Sequence, residues 1–145
     1  MKINIEQSDA YTEVEITIKC NNIDERLEKL LSSLRLYGSA ISGKKDDKVY
    51  FLKPEDVFYF DTVDEKVFIY TSDCVYETVL KLYEIEERFF GTSIIRVNKS
   101  TVLNLMKIDY VSPLINGRIQ AVLQNGEKAI ISRQYVPYFK NKLGL

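Results

Sequence analysis

Two Asn-Gly pairs near the end of the chain, Asn116-Gly117 and Asn125-Gly126, constrain its fold more than any other feature. Each lies between runs of strand-forming residues. Asn-Gly accepts the positive φ angles of a type I′ turn and is the strongest short-range signal for a β-hairpin. Arg88 to Leu145 is therefore expected to form an antiparallel meander. The same stretch is basic: Arg88, Arg96, Lys99, Lys107, Arg118, Lys128, Arg133, Lys140 and Lys142 face only Asp109 and Glu127, a net +7. The first 87 residues carry 11 basic and 19 acidic side chains, a net −8, so the total of −1 hides a strong asymmetry. Such a split points to a nucleic acid or an acidic membrane as partner, or to attraction between the two halves.

Upstream, short β-rich runs continue at Val49 to Leu52, Val57 to Tyr59, Val67 to Thr71 and Val75 to Thr78. They are separated by turn-like residues at Lys53 to Asp56, Thr62 to Lys66 and Ser72-Asp73. This spacing predicts an antiparallel sheet or barrel rather than βαβ units. Leu80, Leu82, Tyr83, Ile85 and Phe89, interleaved with Lys81, Glu84, Glu86 and Glu87, predict one short helix among the strands. Nearer the start, Thr12 to Cys20 alternates, with Val14, Ile16, Ile18 and Cys20 on one face and Glu13, Glu15, Thr17 and Lys19 on the other. That is the pattern of a half-buried strand, which Lys2 to Glu6 could join across a Ser8-Asp9-Ala10 turn. Asn22 then reads as an N-cap with Glu25 three residues on. Leu27, Leu30, Leu31 and Leu34 follow at helical spacing, and Gly38 fits the stop. The polar stretch Ser39 to Asp47 reads as a linker.

The expected fold class is thus mainly β, α+β overall, in one chain of 145 residues. Residues 1–44 form a strand-helix extension and residues 45–145 an antiparallel β domain with a short helix. The extension is too small to bury both its faces alone and must dock on the domain or on a second copy.

The residues offer little for catalysis. With no histidine, the commonest general base and metal ligand is missing. No glycine-rich phosphate loop, GxSxG elbow or CxxC occurs. Adjacent carboxylates at Asp46-Asp47 and Asp64-Glu65 read as solvated turn residues. Cys20 and Cys74 lie far apart in strand-like runs, where a small apolar side chain is the usual role. An enzyme is not expected, nor a metal or cofactor. The opening MKINIEQSDAYTEVEI has no unbroken apolar stretch and no segment approaches the ~20 apolar residues of a membrane span, so a soluble cytoplasmic protein is expected. Residues 1–44 are also too few for a phosphate-accepting receiver domain.

A resemblance enters at Arg88. The succession RFF, IIRVNKSTVLNLMKI, an Asn-Gly hairpin and ISRQYVPYFKNKL resembles the LytTR family of bacterial DNA-binding domains. LKPEDVFYFD at residues 52–61 is similar to the family's early strand, and Cys74-Val75-Tyr76 to the short strand that follows. The match covers residues 45–145. It implies a mostly β output domain, like those of response regulators, that reads duplex DNA through loops in successive major grooves, at paired direct repeats in promoters. Residue by residue, it implies DNA contacts at Lys66, in the turn between the domain's second and third strands, and at Arg96, which opens the IIRVNKS block. It further implies Asn98 and Lys99, which stand where the family has His-Arg, and Arg133 of the closing Ser-Arg.

The chemistry of these side chains agrees. Lys and Arg neutralise phosphates, and the Arg133 guanidinium can grip O6 and N7 of guanine. Asn98 can pair bidentately with adenine, or satisfy its own turn backbone. Arg96, beside Ile94, Ile95 and Val97, can instead support the fold through an ion pair. Lys107, Arg118 and Lys128 read as phosphate neighbours or solvated edges. The extension is expected to mediate homodimerisation, or docking to a small membrane-protein inhibitor of the kind the resemblance implies. Two other readings stand beside a transcriptional regulator. One is a module binding an acidic protein partner. The other is a single-stranded RNA binder using Tyr50, Phe51, Phe58, Tyr59 and Phe60 as platforms.

Overall fold

The computed structural model describes residues 1–36 and 40–145. Helix α1 spans Glu25–Leu36. Ten strands follow: β1 Ile41–Lys45, β2 Lys48–Leu52, β3 Val57–Val63, β4 Lys66–Thr71, β5 Val75–Thr78, β6 Ile94–Arg96, β7 Thr101–Asn104, β8 Ile108–Pro113, β9 Ile119–Leu123 and β10 Lys128–Ile131. Helix α2, Leu82–Arg88, separates β5 from β6, and helix α3, Val136–Leu143, follows β10. The strands form a seven-stranded sheet ordered β2-β1-β5-β4-β3-β7-β6 and a three-stranded sheet ordered β10-β9-β8. All recorded strand pairings are antiparallel. The expected β architecture with its short helix α2 is present, but the meander expected to run to Leu145 stops at β10 and the chain ends in α3.

The middle of the large sheet is buried on both faces. On one face Phe60, Ile69 and Val102 pack with Leu82, Ile85 and Phe89 of the α2 region. On the other, Phe58 and Leu103 pack with Ile119, Ala121, Leu123 and Ile131 of the small sheet and with Phe139 of α3. A bulge between Val57 and Tyr59 lets neighbouring phenylalanines serve different cores. This explains why Val57 to Phe60 reads as a continuous apolar run: a strand covered on both sides has no polar face to alternate. Phe58 and Phe60 are accordingly unavailable as base-stacking platforms. Tyr59 stacks on Tyr70 at 4.3 Å, and Tyr50 meets Tyr76 edge-on at 5.3 Å.

Several local expectations are corrected. The stretch read as a linker carries β1, paired along its length with β2 from Ile41↔Leu52 to Lys45↔Lys48. Its two-residue turn is Asp46-Asp47, with φ of 52° and 60°, and Asp64-Glu65 joins β3 to β4 with φ of 51° and 66°. These carboxylate pairs, not Asn-Gly, make the two-residue turns with both φ angles positive that hairpins favour. At Asn125-Gly126 only the glycine has positive φ, and its amide donates to Leu123 O at 2.8 Å, which is a type I turn closed by a glycine bulge. Asn116-Gly117 does take positive φ at both residues, 64° and 74°, but within a longer loop closed by Leu114 N donating to Arg118 O. In β1, Gly43 meets a requirement of its own, because a Cβ there would lie 2.7 Å from Tyr76 Cβ.

The start of the chain differs most from its pattern. Thr12 to Cys20 and Lys2 to Glu6 form no strand; every residue from 1 to 24 is exposed. Only the polar turn survives, with Tyr11 N donating to Ser8 O. The alternation is real, but a strand needs a partner edge, and among the described residues the segment pairs with none. Cys20 is exposed and Cys74 half-buried, so neither fills a core position. Helix α1 forms, capped by Asp24 rather than Asn22: Asp24 Oδ1 accepts from Leu27 N at 2.9 Å, the reach of an N-cap oxygen to the third helical amide. The expected stop at Gly38 lies outside the described residues. Leu27, Leu31 and Leu34 are only half-buried and Leu30 is exposed.

Candidate nucleic-acid interface

Strand β3 runs from Val57 to Val63 and β7 returns beside it, with Asp61 opposite Thr101. The β3–β4 turn therefore lies near the loop that precedes β7. Thr62 N donates to Ser100 O at 2.9 Å, and Thr101 Oγ1 donates to Asp61 Oδ1 at 3.1 Å. This brings Lys66, exposed at the start of β4, to the same end of the molecule as Lys99, exposed in the 97–100 loop.

The small sheet is joined to that loop by two hydrogen bonds. Ser132 N donates to Val97 O at 2.9 Å, and Asn98 Nδ2 donates to Ile130 O at 2.7 Å. Arg133 follows at once, exposed in a tight 3-10 turn, Arg133–Tyr135, that leads into α3. Its aliphatic stem lies over Gly117: a Cβ at that glycine would sit 3.3 Å from Arg133 Cγ and Cδ. Gly117 also holds a φ of +74°, so both space and backbone favour glycine there. Arg118, the next residue, is exposed. Lys99, Arg118 and Arg133 thus project from three loops fastened to one another, and none of residues 97–100, 114–118 or 131–133 is acidic.

The other two expected site residues are engaged within the protein. Arg96 Nε donates to Asn98 O at 2.7 Å, one terminal nitrogen donates to Lys99 O, and the other pairs with Glu86 Oε2 at 2.8 Å. Its guanidinium thus ties the 97–100 loop to α2. Asn98 uses both ends of its amide, since Oδ1 also accepts from Ser100 N at 2.9 Å and Ser100 Oγ at 3.1 Å. Lys66 differs in its surroundings, because Asp64 and Glu65 of the same turn outweigh its charge.

Sequence reasoning grouped Lys107 and Lys128 with Arg118, and the fold separates them. Lys107 sits at the opposite end of β7, its ammonium 5.2 Å from the Phe58 ring centre. Lys128 pairs with Val122 at the far end of the β9–β10 hairpin, whereas Ile131, beside Arg133, pairs with Ile119, beside Arg118. Arg118 joined the site through tertiary contact, and its only signal in the sequence was the Asn-Gly that precedes it. Among the described residues no cluster of His, Cys, Asp or Glu is arranged to hold a metal ion. No helix among them is long and apolar enough to cross a membrane.

Comparison with known proteins bears on the fold and the family. The family model described as the LytTr DNA-binding domain matches residues 47–144. The chain is 35% identical over 106 residues to the sensory transduction protein LytT of Enterococcus faecalis, covering 73% of this chain and 44% of that one. It is 31% identical over 100 residues to the transcriptional regulatory protein LytR of Staphylococcus aureus, covering 69% and 41%. The chain thus spans less than half the length of these relatives. An uncharacterized HTH-type transcriptional regulator of S. aureus is 24% identical over 147 residues, covering 100% of this chain and 99% of its own. A solved LytTr DNA-binding domain from Bacillus cereus superposes with a TM-score of 0.70 at 24% identity, over 74% of this chain and 98% of that one. The chain belongs to the LytTR family of DNA-binding domains.

Proposed function

We propose that this protein is a transcriptional regulator that binds promoter duplex DNA through the loops at residues 97–100, 116–118 and 132–133. One observation carries the reading: Lys99, Arg118 and Arg133 extend from three carboxylate-free loops, two of them joined by main-chain and Asn98 hydrogen bonds and the third packed at Gly117 against the Arg133 stem. Pre-set cations lose little conformational entropy on meeting phosphates, and a guanidinium can read guanine in the major groove. Arg133 is the base reader in this scheme, with Lys99 and Arg118 on phosphates. Lys66 has a weaker role, since its turn is acidic. Arg96 and Asn98 act by holding the 97–100 loop in place. Binding at paired direct repeats, a cytoplasmic location and the absence of catalysis belong to the same proposal. Of residues 1–44, the part ahead of β1 serves association in it, with a second copy, while Ile41 to Lys44 belong to the sheet of the β domain. A small membrane-protein inhibitor as an additional partner rests on the family resemblance alone.

Fluorescence anisotropy with duplex from upstream of the protein's own operon tests this, against a scrambled duplex and single-stranded RNA at two salt concentrations. Tighter binding to the promoter duplex, falling steeply with salt, is expected. No binding to any nucleic acid at low salt would overturn the reading and favour an acidic protein partner.

A further inference from the structure

In the segment Thr12 to Cys20 pattern and placement disagree. Val14, Ile16 and Ile18 share a face, as in a sheet strand, yet they are 75%, 56% and 37% exposed and lie in no strand. Beside them Ile23 and Leu30 are also exposed, and the leucine stripe of α1 is only half covered. The sequence of the segment, TEVEITIKC, itself selects a partner.

We propose that this segment pairs antiparallel with the same segment of a second copy, about a two-fold axis through Ile16. In that register Val14 lies opposite Ile18, Ile16 opposite Ile16, and Glu13 opposite Lys19, each of the first and last occurring twice by symmetry. Opposite charges and branched apolar pairs across an antiparallel ribbon each favour pairing. A parallel in-register pair would instead set Glu13, Glu15 and Lys19 against themselves. A register centred on Glu15 opposes two glutamates. One centred on Thr17 sets Glu15 against Lys19 but aligns two branched pairs instead of three. A bare two-stranded ribbon is marginal in water. Here the exposed Leu30 and Ile23 of both copies form the apolar layer beneath it. The proposal rests on the reading of residues 1–44 as an association element, and adds which residues pair and in what order.

The test uses charge reversal in the full chain, followed by sedimentation velocity. The wild type is expected to dimerise at micromolar concentrations, and Glu13→Lys or Lys19→Glu alone should each weaken the dimer about tenfold. The double variant Glu13→Lys/Lys19→Glu, and an equimolar mixture of the two single variants, should each restore wild-type association. Circular dichroism of every variant should match the wild type, since these side chains touch nothing else. A wild type that stays monomeric up to about 100 µM would overturn both the pairing and the association role. A dimer indifferent to the single reversals, or one not rescued by the double variant and the mixture, would overturn the pairing alone. Neither result bears on DNA binding by the β domain, which anisotropy measures separately.

Discussion

Replacing Asn98 by alanine separates a base-reading asparagine from one that builds the site. The side chain makes three hydrogen bonds: to Ile130 O at 2.7 Å, and from Ser100 N at 2.9 Å and Ser100 Oγ at 3.1 Å. Each typical bond contributes about 0.5–1.5 kcal/mol net. Ser100 Oγ also has Thr101 Oγ1 within 3.4 Å and can turn to it, so its loss weighs least. The Ile130 carbonyl and Ser100 amide would lose a partner at a half-buried position, where water can replace only part of what is removed. The sum is about 2–3 kcal/mol, which for a domain of this size is roughly a 10 °C fall in Tm. Urea titration and differential scanning calorimetry measure it, and Asn98→Asp, which keeps the acceptor but sets a carboxylate against Ile130 O, should be destabilised as well. DNA affinity should fall in parallel across all sequences, because the loop bearing Lys99 loses its anchor. Unchanged stability with base preference lost at a single position would refute this reasoning and make Asn98 a reader.

Other outcomes follow from the same geometry. Arg133→Ala should cost about 1–3 kcal/mol of DNA binding and relax preference at one base pair, checked by a panel of single-substituted duplexes. Lys99→Ala should weaken all duplexes similarly and lower the salt slope by about one contact, whereas Lys66→Ala, in its acidic turn, should change both less. Glu65 holds a φ of 66°, so Glu65→Gly should stabilise the β3–β4 hairpin by about 1 kcal/mol, read as a higher urea midpoint; an unchanged or lower midpoint would show that the turn is unstrained. Tyr59 is pushed above the ordinary tyrosine value by burial first, and then by the nearby Glu127 carboxylate. A raised folded pKa means the neutral phenol is favoured by folding, so its contribution is complete below about pH 10 and is lost as pH rises beyond it. Tyr59→Phe should therefore flatten the alkaline arm of the stability profile.

The parts of this molecule that depend on neighbours in sequence were legible. Short β-rich runs located β2 to β5, and the helical spacing of Leu27 to Leu34 located α1. The Asn-Gly pairs correctly marked chain reversals, though they did not reveal the turn geometry. Asn125 keeps a negative φ because the β9–β10 loop is one residue too long for a two-residue turn, while Asp46-Asp47 and Asp64-Glu65 adopt it because their strands close tightly. The polar look of Ser42 to Lys45 hid β1, a strand next to the sheet edge whose alternate side chains face solvent.

What only the tertiary structure decided is who stands beside whom. Charge alone grouped Arg118 with Lys107 and Lys128; strand register sends the two lysines to one end and brings Arg118 to Arg133 at the other. Arg96 and Asn98 read as contacts or as supports until Glu86 and Ile130 arrived from other parts of the fold to engage them. The alternation of Thr12 to Cys20 recorded a preference for strand but not its partner. Periodicity, turn residues and caps act over a few residues and are written in the sequence. Convergence of loops depends on long-range pairing and on a shared core around β3 and β7, and those contacts exist only once the chain has folded.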